Sequence, residues 1–217
     1  MDITWHGLSC FRIIERGMIS VVTDPYDPKV GPGALKLRAD VVTVSHDAPG
    51  HNYTKAVKIA RRVIDGPGEY EIGGVFITAI RMKPKASKKE GKKGTNGNTL
   101  YVFDYGSVSV AHLGDLDSVP SQAQIEDLGA VDVALVPVGG GGALSPSEAA
   151  EVISLIEPSI VIPMHYKTGD EKIELGDVSG FLKEMGIEEP EPLELLSVTK
   201  SSLTDETQVI VLKPSVG

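Results

Sequence analysis

The chain has a single cysteine, few aromatic residues and no long hydrophobic run. With one cysteine, Cys10, among 217 residues, an intrachain disulfide is excluded and a reducing compartment is expected. The apolar stretches are far shorter than the roughly 20 residues that cross a bilayer. Residues 1–6 lack the basic start and apolar core of a signal peptide. We therefore expect a cytoplasmic protein that has no membrane span.

Positive charge is also scarce. The chain has 21 basic and 30 acidic residues, a formal net charge of −9. This balance argues against a broad nucleic-acid surface, because duplex binding depends on cationic groups that neutralise phosphates. The exception is the lysine-rich segment at residues 81–97, which we expect to be a flexible basic loop. A solvated hairpin tip is the favoured interpretation, and a basic flap that attracts an anionic substrate is the alternative.

The apolar patterns predict many short strands and few helices. Strands are predicted at residues 2–5, 10–15, 19–23, 41–45, 69–72, 75–80, 100–104, 107–111, 131–136, 160–164 and 208–212. Helices are predicted at residues 54–62, 121–128, 145–156 and 178–185. This order predicts an α/β (α+β) fold in which β-sheets are packed between helical layers. We expect one domain over residues 1–217.

Histidines recur where predicted strands end. His46, His112 and His165 each end an apolar run, His51 follows in the loop after His46, and Asp115 follows His112. Taken singly, a strand-end histidine is usually hydrogen-bonded or solvent-facing, and Asp115 fits a structural role, as a turn residue or a cap, as well as it fits a ligand. The repetition at three buried strands favours one shared metal site, since imidazole and carboxylate are typical zinc ligands.

Seven segments carry a resemblance to a known family. They are TWHGLSCF (residues 4–11), TDP (23–25), DVVTVSH (40–46), GPGEYEIGG (66–74), HLGD (112–115), PVGG (137–140) and IPMHY (162–166). In this order the chain resembles the metallo-β-lactamase superfamily, in the branch of L-ascorbate-6-phosphate lactonase and related metal-dependent hydrolases. The resemblance implies a four-layer αββα sandwich with a metal site at one edge.

The first metal-binding motif departs from the family pattern HxHxDH. Ala48 stands at the position of the second histidine, and Gly50 at that of the aspartate. Residue by residue, the resemblance implies that one metal retains His46, His112 and Asp115. It implies that a second retains His51, His165 and Asp115. Asp47 is an open alternative as a replacement ligand.

Three ligands and a water suffice for a catalytic metal. We therefore expect one divalent metal per chain rather than two, zinc first, with manganese, iron or nickel as alternatives. Asp115 and His165 are the expected catalytic residues that position the attacking water.

Two functions from different classes follow. The first is a metal-dependent hydrolase that acts on an ester, lactone or phosphoester of a small molecule, with an anionic substrate as an open alternative. The second is a catalytically degenerate relative that binds a ligand or partner without hydrolysis, since Ala48 and Gly50 remove two donors. Nucleic-acid processing is the weakest expectation, and a homo-oligomer is compatible with the sequence.

Overall fold

The computed structural model describes residues 1–83, 97–169, 171–188 and 190–215. The strands are β1 (Asp2–Trp5), β2 (Phe11–Ile14), β3 (Val21–Thr23), β4 (Leu37–Arg38), β5 (Val41–Thr43), β6 (Val57–Lys58), β7 (Arg62–Ile64), β8 (Gly68–Ile72), β9 (Val75–Met82), β10 (Asn98–Asp104), β11 (Ser109–His112), β12 (Val133–Pro137), β13 (Ile160–Met164), β14 (Leu196–Ser197) and β15 (Gln208–Val209). The α-helices are α1 (Gln122–Leu128), α2 (Pro146–Ile156) and α3 (Ser179–Glu184). None of the helices in the described residues is long and apolar enough to cross a membrane.

The strands form two large sheets that share one hydrophobic core. One sheet has the order β14-β1-β2-β3-β5-β7, and the other the order β15-β13-β12-β11-β10-β9-β8. Successive side chains on a strand point to opposite faces. Val21 accordingly joins the core between the sheets, whereas Val22 joins a second apolar cluster on the outer face of the first sheet. Both faces of this sheet are therefore covered.

The second sheet carries the helices. Helix α1 packs against β9 and helix α2 against β12, while α3 packs against α2. Ser145 caps α2 by accepting a hydrogen bond from the Glu148 backbone, and Pro146 occupies the first turn, as the sequence predicts. The predicted helices at residues 121–128, 145–156 and 178–185 are therefore confirmed, to within a few residues at their ends.

The helix predicted at residues 54–62 is wrong. Only a 3₁₀ turn, Thr54–Ala56, forms there, and Val57–Lys58 then pairs with Leu37–Arg38 as a small parallel sheet. The Val57 side chain is buried in the outer cluster, whereas Ile59 is exposed and has a φ of 71°. Tertiary packing of Val57 overrides the local helical spacing, so a loop layer rather than a helix covers this side of the first sheet.

Most of the predicted basic loop lies outside the described residues. Its flanks are visible: Arg81 is in β9, and its guanidinium donates hydrogen bonds to the backbone carbonyls of Asp65 and Gly97. Lys83 lines a small cavity next to His46 and Asp115. The interpretations of the intervening lysines as a hairpin tip or as a flap both remain predictions.

Candidate metal centre

The ends of parallel strands bring four of the predicted site residues together. Strands β3, β5 and β7 are parallel in one sheet, and β11, β12 and β13 are parallel in the other. His46 and His51 follow β5, Asp115 follows β11 and His165 follows β13. Donor atoms of His46, His51 and Asp115 all lie within 4.8 Å of one another. Nε2 of His165 is 3.5 Å from Oδ1 of Asp115.

Each of the three clustered histidines is oriented through its Nδ1 atom. Nδ1 of His46 is 3.1 Å from the Ser45 hydroxyl, and Nδ1 of His165 is 3.1 Å from the Ser9 hydroxyl. Nδ1 of His51 is 2.8 Å from a carboxylate oxygen of Asp24. Hydrogen bonds of this kind fix the tautomer and ring orientation of metal-binding histidines. They leave the Nε2 atom of each ring available as a ligand.

The Asp115 carboxylate completes the donor set. Its Oδ1 atom is buried and accepts no hydrogen bond from the described residues. Its Oδ2 lies 3.8 Å from Nε2 of His46. Two ligands at about 2.0–2.1 Å from a tetrahedral ion are about 3.3 Å apart. The Asp115–His165 and Asp115–His46 separations are close to this value, so the residues fit a divalent metal ion.

His112 lies beside this cluster without facing it. The ring is fully buried, its Nε2 is 2.8 Å from the Ser9 carbonyl, and its Nδ1 accepts a hydrogen bond from the Gly114 backbone. Both ring nitrogens are therefore occupied by backbone groups. This geometry does not support the expectation that His112 is a ligand. Instead, the ring joins the loop at Ser9 to the turn that carries Asp115.

Asp24 is a site residue that the sequence analysis missed. Its side chain is fully buried, and it accepts hydrogen bonds from the Ser45 backbone at 2.7 Å and the Ser45 hydroxyl at 2.6 Å, in addition to facing His51. The one available signal was the acidic residue directly after a buried strand, in the segment TDP. That segment entered the sequence analysis only as part of the family resemblance.

Backbone strain is concentrated around the same cluster. Five non-glycine residues in the described part of the chain have positive φ angles, and Leu8 (48°), Asp24 (37°) and His165 (54°) are among them. The His165 backbone N–H donates to the Leu8 carbonyl, so two of these residues hold each other. Such strain costs about 1–3 kcal/mol per residue and is typically found at functional sites.

Burial determines the charge state of His51 and His165. It lowers the pKa of His51 well below the ordinary value of 6.5, an effect to which nearby His165 adds. Burial also lowers the pKa of His165, against the opposing effect of Asp115. Both rings are thus kept neutral, the form that binds metal. Burial raises the pKa of Asp24, which hydrogen bonds from Ser45 partly offset.

Acid should destabilise the metal-free protein through these histidines. As the pH falls below 6.5, histidines in the unfolded chain bind protons that the buried rings do not bind. The contribution of these rings to the free energy of unfolding is therefore complete above pH 6.5 and is lost progressively below it. For His51 alone we expect about 1 kcal/mol of lost unfolding free energy between pH 6.5 and 5.5. Urea denaturation at both pH values measures this loss. Equal stabilities at the two values would contradict the prediction.

Gly114 positions the Asp115 backbone. Gly114 has a φ of +59°, and an added Cβ would lie 2.3 Å from Oδ1 of Asn98 and 2.6 Å from Cβ of Ser45. The same Asn98 oxygen accepts the Asp115 backbone N–H. We expect Gly114→Ala to cost about 3 kcal/mol of stability from strain and overpacking, and to weaken metal binding.

Gly186→Ala is the matched control for Gly114→Ala. Gly186 follows helix α3, with a φ of +66° and no atom within 4 Å of an added Cβ. Its substitution by alanine should lower the unfolding free energy by about 1 kcal/mol, the cost of a positive φ for a residue with a Cβ, and should leave metal affinity unchanged. Thermal unfolding and zinc titration of both variants test the comparison. Equal behaviour would show that the close approach at Gly114 is unimportant.

The substituted motif positions face a cavity at this centre. A cavity of about 710 Å³ is lined by Ala48, Gly50, His51, Asp115 and His165. Ala48 and Gly50 thus lie beside the metal-binding atoms and offer no side-chain donor. Asp47 lies on a different surface, where it is exposed and accepts a hydrogen bond from Asn52. The geometry therefore does not favour Asp47 as a replacement ligand.

Comparison with known proteins agrees with the fold. The β-lactamase superfamily domain matches residues 2–165. The chain is 31% identical over 212 residues to a UPF0173 protein of Pyrococcus furiosus, with 85% of this chain and 90% of the relative covered. It is 28% identical to a UPF0173 metal-dependent hydrolase of Thermococcus onnurineus, with 75% and 83% covered.

A solved structure has the same fold as this chain. A candidate Zn-dependent hydrolase of the metallo-β-lactamase superfamily from Thermotoga maritima is 36% identical, covers 97% of both chains and superimposes with a TM-score of 0.75. The predicted superfamily and its sandwich fold are therefore confirmed, while the narrower likeness to the lactonase branch stays a prediction. The chain belongs to the metallo-β-lactamase superfamily.

Proposed function

We propose that the protein is a mononuclear metal-dependent hydrolase of a small molecule. The observation that supports this most is the arrangement around Asp115. Three histidines, each oriented through Nδ1, surround a carboxylate whose buried Oδ1 accepts no hydrogen bond among the described residues. A structural ion pair would not require such orientation of three rings. The metal-dependent hydrolase among the relatives and the Zn-dependent candidate among the solved structures support the same function.

The metal would be held by Nε2 of His46, His51 and His165 and by the Asp115 carboxylate, with zinc as the proposed ion. When bound, a divalent ion polarises the scissile carbonyl or phosphoryl group and lowers the pKa of water. The Asp115 oxygen that does not bind the ion would accept a hydrogen bond from the attacking water and orient it. His165 would serve as a ligand through Nε2, because its Nδ1 is bonded to Ser9. The reaction adds water across the scissile bond, so an ester gives a carboxylic acid and an alcohol.

Ser9, Asp24 and Ser45 are positioning residues in this proposal. They hold the three rings, and they lie on loops at the ends of strands of the first sheet. His112 ties the backbone at Ser9 to the turn before Asp115. The donor set is thereby assembled before any ion arrives, which reduces the ordering that binding requires.

Metal content and turnover test the proposal together. Elemental analysis of protein purified without chelator or histidine tag should give about one zinc, manganese, iron or nickel per chain. The loaded protein should hydrolyse p-nitrophenyl esters or phosphoesters, and a chelator should abolish the activity reversibly. No metal after incubation with each ion, or turnover that survives chelation, would overturn the proposal.

A binding protein without hydrolytic activity is the second candidate function. Its specific support is the absence of donors at Ala48 and Gly50, inside the cavity. Bound metal with no turnover of any ester, lactone or phosphoester would favour this candidate over the hydrolase.

Restoring the two donors should create a second metal site. An added Cβ at Gly50 would meet only Cδ1 of Leu8, at 3.9 Å, so an aspartate fits there. The double substitution Ala48→His and Gly50→Asp is expected to raise the metal content from one to two per chain, measured by elemental analysis. The control Ala48→Leu with Gly50→Ala fills the same space without donors and should retain one. A double variant that still binds one metal would contradict the prediction.

A further inference from the structure

The cavity at the metal centre has an apolar wall built by residues far apart in sequence. Val30 and the half-buried Ile173 and Leu175 line it together with the histidines. The segment that carries Ile173 and Leu175 is fixed at three points: the Lys172 N–H donates to the Val30 carbonyl, Lys167 donates to Gly176, and Gly176 donates to Gly139. The apolar wall is therefore a formed surface of the cavity.

The motif substitutions extend the same apolar surface. Ala48 and Gly50 stand where the family pattern has a histidine and an aspartate, and both line the cavity. The methyl group of Ala48 and the hydrogen atom of Gly50 leave space that a histidine and an aspartate would otherwise fill. The loss of these two donors thus enlarges the room beside the remaining centre and makes it less polar.

The charges in this cavity disfavour an anionic substrate. Among the described lining residues, the charged side chains are the carboxylates Asp115 and Glu174, and no lysine or arginine is present. Proteins usually bind phosphate groups with Arg or Lys side chains. Lys83 and Asp117 line the smaller cavity of about 250 Å³, which shares His46 and Asp115 with the large one. Among the described residues, a phosphoryl group in the large cavity would therefore have no cationic side chain to bind it.

From these observations we propose that the substrate is a neutral carboxylic ester or lactone whose apolar acyl part occupies the cavity between Ala48, Gly50 and Leu175. The proposal rests on the hydrolase function above and names its substrate class. Water adds to the acyl carbon, the acyl C–O bond breaks, and the leaving oxygen takes a proton to give an alcohol. The alcohol part of the ester faces the smaller cavity that holds Lys83.

A matched substrate series tests this inference on the zinc-loaded protein. We expect kcat/KM to rise about tenfold from p-nitrophenyl acetate to p-nitrophenyl butyrate, because the two added methylenes are buried against the apolar wall. We expect p-nitrophenyl phosphate and bis(p-nitrophenyl) phosphate to react at least 100-fold more slowly than butyrate. Phosphoesters preferred over esters would overturn the inference and leave the hydrolase function intact.

The variants Leu175→Ala and Leu155→Ala test whether the preference for butyrate over acetate arises from the apolar wall. Leu155 is on α2, outside the cavity, and 37% of its side chain is exposed. Leu175→Ala should remove most of the butyrate preference, mainly by raising KM for the butyrate ester, with a smaller loss for the acetate ester. Leu155→Ala should behave as wild type. Identical profiles for the two variants would overturn the inference.

Binding without turnover separates this inference from the hydrolase function. Saturation-transfer NMR should detect hexanamide, a neutral acyl compound, on the wild-type protein with and without zinc, and should detect much less on Leu175→Ala. Inorganic phosphate should not displace hexanamide from the metal-free protein. Hexanamide binding that depends on Leu175, without hydrolysis of any ester, would refute the hydrolase and retain the apolar pocket. Absence of hexanamide binding would refute the pocket itself.

Discussion

Asp115→Asn is expected to reduce zinc affinity on the order of 100-fold or more and to abolish metal-dependent turnover. The substitution keeps the shape of the side chain and the backbone hydrogen bond from Asp115 to Asn98. It removes the negative charge, and an amide is a poor zinc ligand beside histidines. Competition with a fluorescent zinc chelator measures the affinity, and circular dichroism verifies that the fold is retained.

Asp47→Asn is the matched control for Asp115→Asn. Asp47 neighbours His46 in sequence, but it is exposed and bonded to Asn52. It should therefore bind zinc as the wild type does. If Asp47→Asn lost the metal and Asp115→Asn retained it, Asp47 would be the true replacement ligand and the assignment of the centre would be wrong.

Asp24→Ala is expected to lower both stability and metal affinity. The substitution leaves the Ser45 N–H, the Ser45 hydroxyl and the His51 Nδ1–H without a buried acceptor. Unsatisfied buried donors cost about 1–3 kcal/mol each, so we expect about 4 kcal/mol of lost unfolding free energy after partial entry of water. Loss of the partner that orients a metal-binding histidine typically weakens affinity about 10–100-fold.

Asp40 provides a control with the same local pattern. It also accepts the backbone N–H and the hydroxyl of one serine, Ser20, but it is partly exposed and distant from the metal-binding histidines. Asp40→Ala should cost about 1 kcal/mol and leave zinc affinity unchanged. Urea denaturation and zinc titration of both variants separate a structural carboxylate from one that positions a ligand. Unchanged zinc affinity in Asp24→Ala would show that His51 needs no orienting partner.

The strand-end positions of the histidines could be predicted from sequence, whereas the direction of each ring could not. His46, His112 and His165 all end apolar runs, and this pattern correctly placed them near one another. The His112 ring turns toward the backbone of Ser9 and Gly114. Ser9 and His112 are about 100 positions apart in the sequence. No local spacing encodes such a contact. The pairing of Asp24 with His51 was invisible for the same reason.

The cavity at the metal centre could also be predicted only in part from the sequence. The motif departure at Ala48 and Gly50 is evident in the sequence, and it indicated lost ligands. The departure also makes the cavity less polar, an effect that depends on Ile173 and Leu175 lining the same cavity. Their neighbours Lys172 and Gly176 hold this segment in place by donating backbone hydrogen bonds to Val30 and Gly139. In the same way, Thr54 suggested a helix because local spacing does not report that Val57 is needed in the outer cluster. Long-range packing decided each of these features.

The proposed ligands come from both sheets: His46 and His51 follow strands of the first, and Asp115 and His165 follow strands of the second. An ion held by all four would act as a cross-link between the two halves of the sandwich. Ligands that bind only the folded state stabilise it by RT ln(1 + [L]/Kd), about 4 kcal/mol at 1,000 times Kd. Zinc should therefore slow amide hydrogen exchange in β5 and β13 together, so that the halves of the molecule open as one cooperative unit.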